Sequence, residues 1–225
     1  MTARVLYLIR HGRSDFGWSG ERFATTRGEQ WDPPLSEEGR RQAELLAERL
    51  LVMNLDPFAV YASPLRRARE TAEAFAQRAG VDVRIEEDLA EAHLGGWEGV
   101  PFEELIEGDP DIVEHLRNQR AIWHRAPGAE PEDRFRGRVR TVVEELLARH
   151  PDRNLVLFAH GGVINAYCGE VMGVRHEMFF LPENTSVNSV DVDGSDRTVR
   201  FLNDVLHLTD PHFFRDAPIP TPSDP

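Results

Sequence analysis

Val5-Leu6-Tyr7-Leu8-Ile9-Arg10-His11-Gly12-Arg13-Ser14 is the stretch on which the fold turns. The apolar run from Val5 to Ile9, rich in β-branched and aromatic side chains, reads as a buried strand ending on Arg10, His11 and Gly12. In open α/β sheets ligands bind at the carboxyl edge, so an Arg-His pair there sets a fixed cation beside an imidazole that can attack or handle protons. Gly12 permits a sharp turn or close approach to an anion, and Ser14 adds a hydroxyl donor. An isolated Arg-His-Gly tripeptide also reads as a solvated turn. Its weight therefore rests on what the remaining chain supplies.

With 225 residues, the chain is long for one domain and short for two, which predicts one α/β core carrying an insertion. A net charge of -13 argues against nucleic acid or an anionic membrane as partner, since both require a basic face. An anionic substrate would need a local cluster of cations. The 26 basic side chains are all arginine, which removes a P-loop lysine, a pyridoxal Schiff base and a lysine nucleophile. A compositional bias accounts for the count, so only the placement of particular arginines is informative. The single cysteine, Cys168, excludes an intrachain disulfide and a multi-cysteine metal site, and its apolar helical context places it in the core. No basic leader with an apolar stretch opens the chain, and no run approaches about 18 apolar residues. A soluble cytoplasmic protein is expected.

Outward from the first strand, Phe16 to Pro34 reads as a long polar loop holding Phe16, Trp18, Phe23, Trp31, Arg22 and Arg27. Ser36 caps a predicted helix with Glu37 and Glu38 in its first turn and Ala43, Leu46, Ala47 and Leu50 on its apolar face. Phe58 to Ala62 is a second strand. Ser63 and Pro64 then open a helix as N-cap and N1, and Gly80 stops it. Val81 to Ile85 is a third strand, and Gly99 to Pro127 breaks into acidic helical pieces read as an insertion over the sheet edge. Pro131 begins a long helix with the stripe Val139, Val142, Val143 and Leu146. Leu155 to Ala159 is a continuous apolar strand running into His160-Gly161-Gly162 and another helix. Ser186 to Asp191 and Thr198 to Leu202 flank a hairpin signal. This alternation predicts a three-layer α/β/α sandwich with a mostly parallel mixed sheet, its last two strands breaking the parallel pattern. One domain over 1-214, a cap insertion at about 99-127 and a Pro-rich tail at 215-225 complete the expected layout.

Further segments line up with Arg-His-Gly. Ser63-Pro64-Leu65-Arg66-Arg67-Ala68-Arg69-Glu70-Thr71-Ala72 puts arginines in the first turn of a helix, where amides and dipole favour an anion, although Arg66 and Arg69 also read as a solvated face. Glu91-Ala92-His93-Leu94-Gly95-Gly96-Trp97-Glu98-Gly99 sets a carboxylate before a glycine-rich turn, with Glu98 open between site and surface. Phe158-Ala159-His160-Gly161-Gly162 supplies a second strand-end histidine. With the Asp-x-Pro-Leu-Ser-x-x-Gly-x-x-x-Ala segment from Asp32 to Ala43, these motifs span residues 5 to 165. In kind and order they resemble those of the histidine phosphatase superfamily, which includes the cofactor-dependent phosphoglycerate mutases and many bacterial phosphatases.

That resemblance implies His11 as nucleophile, Arg10, Arg67 and a protonated His160 as the pocket for the transferred phosphoryl group, and Glu91 as proton donor. Arg10, Ser14, Arg67, His160, Arg13 and Arg22 are the expected substrate-binding side chains. It implies no metal and no cofactor. Arg13 stands where the family often has Glu or Gln, and Asp15-Phe16-Gly17 where many members have Trp-Asn, which leaves the substrate's identity open. The expected activity is metal-independent hydrolysis of a small-molecule phosphomonoester through phosphohistidine. A phosphoglycerate mutase and a silent phosphate-binding module are the alternatives. Oligomeric state is open, a dimer included.

Overall fold

The computed structural model describes residues 4–209 apart from 21, 54, 110, 119 and 121. Strand β1 (Arg4–Arg10) carries the decisive stretch. A separate small hairpin of β2 (Phe23–Thr25) and β3 (Gly28–Gln30) follows. β4 (Phe58–Ala62), β5 (Val83–Ile85), β6 (Asn154–Ala159), β7 (Val187–Asp193) and β8 (Asp196–Asp204) join β1 in a six-stranded sheet of order β5-β4-β6-β1-β7-β8. β5, β4, β6 and β1 are mutually parallel, β7 is antiparallel to β1, and β8 is antiparallel to β7. Only β7 therefore opposes the sheet direction. The last two strands break the parallel pairing as expected, β7 on β1 and β8 on β7 both being antiparallel, and the β7–β8 hairpin turns the chain back to the direction of β1.

The pleat sorts the core into two faces. Tyr7, Ile9, Val60, Ala62, Val156 and Phe158 pack on α1 (Glu37–Val52) and α2 (Arg66–Ala79) through Leu46, Ala47, Leu50, Ala72 and Phe75. Leu6, Leu8, Tyr61, Leu155 and Leu157 face the other way. They meet the long helix Glu132–Arg149 at Val139, Val142, Val143 and Leu146, and the helix Gly161–Met172 at Val163, Ile164, Tyr167 and Cys168. The result is the expected three-layer sandwich. Leu6, Leu8 and Ile9 are fully buried, and at roughly 1.5–3 kcal/mol each they anchor the strand whose end carries Arg10 and His11.

Local signals explain most boundaries. Ser36 Oγ accepts the Gly39 amide at 3.0 Å, capping α1 over Glu37 and Glu38. A Cβ on Gly39 would lie 2.0 Å from the Arg13 carbonyl oxygen, so only glycine lets this helix start press against the turn after β1. The start of α2 differs from the sequence reading, for its cap residue is Leu65, not Ser63. Ser63 stays in the strand-end register through its amide on the Phe158 carbonyl at 2.9 Å, and the carboxylate of Asp32 accepts the Arg66 amide from outside the helix. The β2-β3 hairpin lies within the segment whose sequence reads as a polar loop, because three-residue strands are too short for an alternation to show.

Between Gly99 and Pro127 lie α3 (Phe102–Gly108), α4 (Asp111–Arg117) and a single helical turn at Trp123–Arg125. Arg125 pairs with Asp109 at 2.6 Å, and Trp123 packs edge-on against Phe135, ring centroids 5.6 Å apart. With these two, the helices Glu132–Arg149 and Gly161–Met172 become α5 and α6, and α7 (Leu206–Thr209) follows β8. The Pro-rich tail lies outside the described residues. Among the described residues no helix is long and apolar enough to cross a membrane.

Candidate active site

Three parallel strands deliver the site side by side. Arg10 of β1 is in register with Ala159 of β6, and Ala62 of β4 with Phe158. The His11 amide then donates to the Ala159 carbonyl at 3.0 Å, and His11 and His160 lie with ring centroids 5.1 Å apart.

His11 is held in one tautomer. Its Nδ1 is 2.7 Å from the Gly12 carbonyl oxygen, which can only accept, so Nδ1 carries the proton and Nε2 keeps its lone pair. That lone pair meets Arg67 Nε at 3.3 Å. Burial first, then the charges of Arg67 and Arg10, hold the His11 imidazole well below the ordinary histidine value. Thr71 ties the two elements together, its hydroxyl accepting the Gly12 amide at 3.0 Å and donating to the Arg67 carbonyl at 2.7 Å. Arg67 NH1 also donates to the Trp31 carbonyl at 3.2 Å.

His160 is fully buried, with Nε2 2.7 Å from Ser63 Oγ and Nδ1 without a protein partner. Burial first, then Arg67, His11 and Arg10, depress its pKa well below the ordinary value, so the unliganded site holds it neutral. Two guanidinium groups already supply positive charge here, and a third cation buried beside them is unfavourable in the absence of an anion. Arg10 donates through NH1 to the Pro182 carbonyl, while its buried Nε has no protein partner. Burial lowers the pKa of both Arg10 and Arg67, opposed in each case first by the field of Glu91.

Glu91 is fixed by main-chain amides. Oε1 accepts from Ala92 at 3.0 Å, and Oε2 accepts from Gly162 at 2.9 Å in the first turn of α6. A Cβ on Gly162 would stand 2.3 Å from Oε1, so the second glycine of His160-Gly161-Gly162 is what admits the carboxylate. Each oxygen retains a further lone pair. The expectation that the α2 amides await an anion is also corrected, since Asp32 already occupies the Arg66 amide.

Arg10, His11, Arg67, Glu91 and His160 thus converge. The other expected contacts lie elsewhere. Arg13 is exposed and, with Ser14, lines a groove shared with Asp15, Phe16, Ser36 and Arg41. Arg22 donates to the Glu98 carbonyl at 3.0 Å, and Arg27 pairs with Asp88 at 2.9 Å while also donating to the Glu87 carbonyl. Glu98, left open between site and surface, is buried and accepts the amides of Trp31 and Leu94, each at 2.8 Å. It fastens the 16–34 segment to the turn after Glu91. Arg66 pairs with Glu70 at 2.6 Å and lies over the Trp18 ring. Among the described residues no group of three or more His, Cys, Asp or Glu side chains is placed to hold a metal ion.

A family model, the histidine phosphatase superfamily (branch 1), matches residues 6–205. The chain belongs to this superfamily. Over 175 residues, 74% of each protein, it is 37% identical to a glucosyl-3-phosphoglycerate phosphatase of Mycobacterium tuberculosis. Over 207 residues, 90% of this chain and 93% of the relative, it is 30% identical to phosphoserine phosphatase 1 of Hydrogenobacter thermophilus. The solved structure of Bacillus stearothermophilus YhfR superposes with a TM-score of 0.76 at 29% identity, covering 91% of this chain and 99% of that one.

In this histidine phosphatase, sequence reasoning missed the residues that hold the converging side chains in place. Ser63, read as a helix cap, serves His160. Asp32, inside a recognised motif, serves the start of α2. Asn184 and Thr185 act on the backbone of His11 from far along the chain, Asn184 Nδ2 donating to its carbonyl at 3.0 Å and the Thr185 amide at 3.3 Å. No local pattern marks that pair.

Proposed function

We propose that the protein is a metal-independent phosphomonoesterase that passes the phosphoryl group through His11. The observation carrying this reading is the pairing of an unprotonated His11 Nε2 with two buried donors, His160 Nδ1 and Arg10 Nε, that have no protein partner. Buried polar atoms are normally satisfied, and orphaned donors beside a nucleophile fit the oxygens of a phosphate.

In the first step the Nε2 lone pair attacks phosphorus, the ester P–O bond breaks, and its electron pair leaves on the substrate oxygen. Glu91 gives that oxygen a proton. Arg10, Arg67 and neutral His160, donating through Nδ1, hold the equatorial oxygens where charge accumulates. Glu91 then takes a proton from water as the water attacks phosphohistidine, releasing inorganic phosphate and restoring His11. The names of the relatives, phosphatases of glucosyl-3-phosphoglycerate and of phosphoserine, support hydrolysis of a small-molecule phosphomonoester. The same reading takes 1–214 as one catalytic domain covered by residues 99–127, working in the cytoplasm.

Acid quenching during turnover of p-nitrophenyl phosphate tests it. An acid-labile, base-stable phosphoprotein is expected in the wild type and absent from His11→Ala, with turnover unchanged by excess EDTA. Phosphate recovered on another residue type, or EDTA inactivation reversed by a divalent ion, refutes the reading.

A further inference from the structure

A chain of polar contacts that ends at the backbone of His11 starts on α1. Arg49 is anchored by an ion pair with Asp204, and its NH1 reaches His207 Nδ1 at 3.4 Å. A guanidinium can only donate, so Nδ1 of His207 accepts and Nε2 carries the proton. Nε2 lies 3.0 Å from Thr185 Oγ1, which therefore accepts, and the Thr185 hydroxyl spends its own proton on the Asn184 carbonyl at 2.7 Å. The tautomer of His207 is set by its two neighbours, Arg49 and Thr185. His207 and Thr185 are both fully buried.

Thr185 sits at φ 59, a left-handed conformation that a β-branched residue rarely adopts. In that conformation its amide donates to the His11 carbonyl at 3.3 Å, beside the Asn184 side chain on the same oxygen. That carbonyl belongs to the His11–Gly12 peptide, whose amide is held on its opposite edge by Thr71. The peptide is pinned from both sides, and the His11 ring is bonded to the next carbonyl along, that of Gly12.

We propose that Arg49, His207 and Thr185 form a strut that sets the His11–Gly12 peptide, and through it the His11 imidazole, in its attacking position. His207 and Thr185 are positioning residues for phosphoryl transfer and touch no substrate. Because the ring must be aligned to attack in line, a small displacement of this peptide lowers the chemical step rather than substrate binding. The inference rests on the reading of His11 as nucleophile.

Steady-state kinetics with p-nitrophenyl phosphate on His207→Leu, His207→Gln and Thr185→Val test it, alongside thermal midpoints and the proton NMR signal of His11 Nδ1, identified by its loss in His11→Ala. His207→Leu and Thr185→Val are expected to lower kcat roughly tenfold or more with KM held within about twofold, and to shift the His11 signal. Glutamine accepts from Arg49 and donates to Thr185, so His207→Gln restores most of kcat and the signal. Full kcat in both His207→Leu and Thr185→Val overturns the strut. Equal losses in His207→Leu and His207→Gln that follow the thermal midpoint also overturn it. Should His207→Leu not fold, Thr185→Val decides, and an unchanged kcat and His11 signal in that variant count against the proposal. Turnover surviving in His11→Ala defeats instead the nucleophile assignment on which the strut depends.

Discussion

Ser63 Oγ stands 2.7 Å from His160 Nε2 and accepts the Leu65 amide at 3.2 Å, so the hydroxyl proton finds its acceptor in the imidazole. This places the ring proton on Nδ1 and lets a neutral histidine donate to a phosphate oxygen. Ser63→Ala removes the constraint and leaves Nε2 buried without a partner. A loss of about tenfold in kcat/KM on p-nitrophenyl phosphate is expected, the equivalent of roughly 1–2 kcal/mol. Unchanged kinetics would show that the tautomer is fixed by something else.

The pH dependence follows from the buried imidazoles. Burial and neighbouring arginines depress both His11 and His160, so His11 keeps its lone pair as pH falls through the ordinary histidine range. The acid limb of kcat/KM, measured with an aryl phosphate and corrected for substrate ionisation, should lie well below pH 6.5. A limb at the ordinary histidine value would mean that the free enzyme admits enough water to charge the pair.

Glu91→Gln should slow alkyl phosphates far more than p-nitrophenyl phosphate, whose leaving group needs little protonation. Gly162→Ala offers an independent route to the same defect, since its methyl would overlap Glu91 Oε1. The two variants should share one ranking of substrates. Equal losses on alkyl and aryl esters in Glu91→Gln would remove Glu91 from the proton-donor role.

Stability should also respond to acid through His207, whose pKa is lowered to about 4, by burial first and then by Arg49. Above pH 6.5 neither the folded nor the unfolded state binds a proton there. Between 6.5 and 4 the unfolded chain does and the folded one does not, so stability falls with pH across that window and the loss levels off below it. The His207 share is about 3 kcal/mol. Urea midpoints at pH 7 and pH 4.5 measure the slope, and His207→Gln should flatten it.

Legibility divided along a physical line. β1, β4 and β6 were readable because burial on both faces leaves continuous apolar runs, and α1 because Ser36, Glu37 and Glu38 are local signals. The convergence of Arg10, His11, Arg67, Glu91 and His160 was implied by motif resemblance. Their supports were not readable. Ser63 has the composition of a helix cap and serves as a histidine's partner, and Thr185 acts across 174 residues of chain on His11. Such pairings are fixed by tertiary distance, which no window of sequence contains.

The sheet order also separates β1 along the chain from the strands it pairs with. β1 precedes both of its neighbours, β6 and β7, by well over a hundred residues, and the loop that grips His11 comes just before β7. This is a topology of long-range contacts, which slows folding and leaves an apolar segment waiting for its partners. A chain halted before Asn184 carries His11 without the two donors, the Asn184 side chain and the Thr185 amide, that hold its carbonyl.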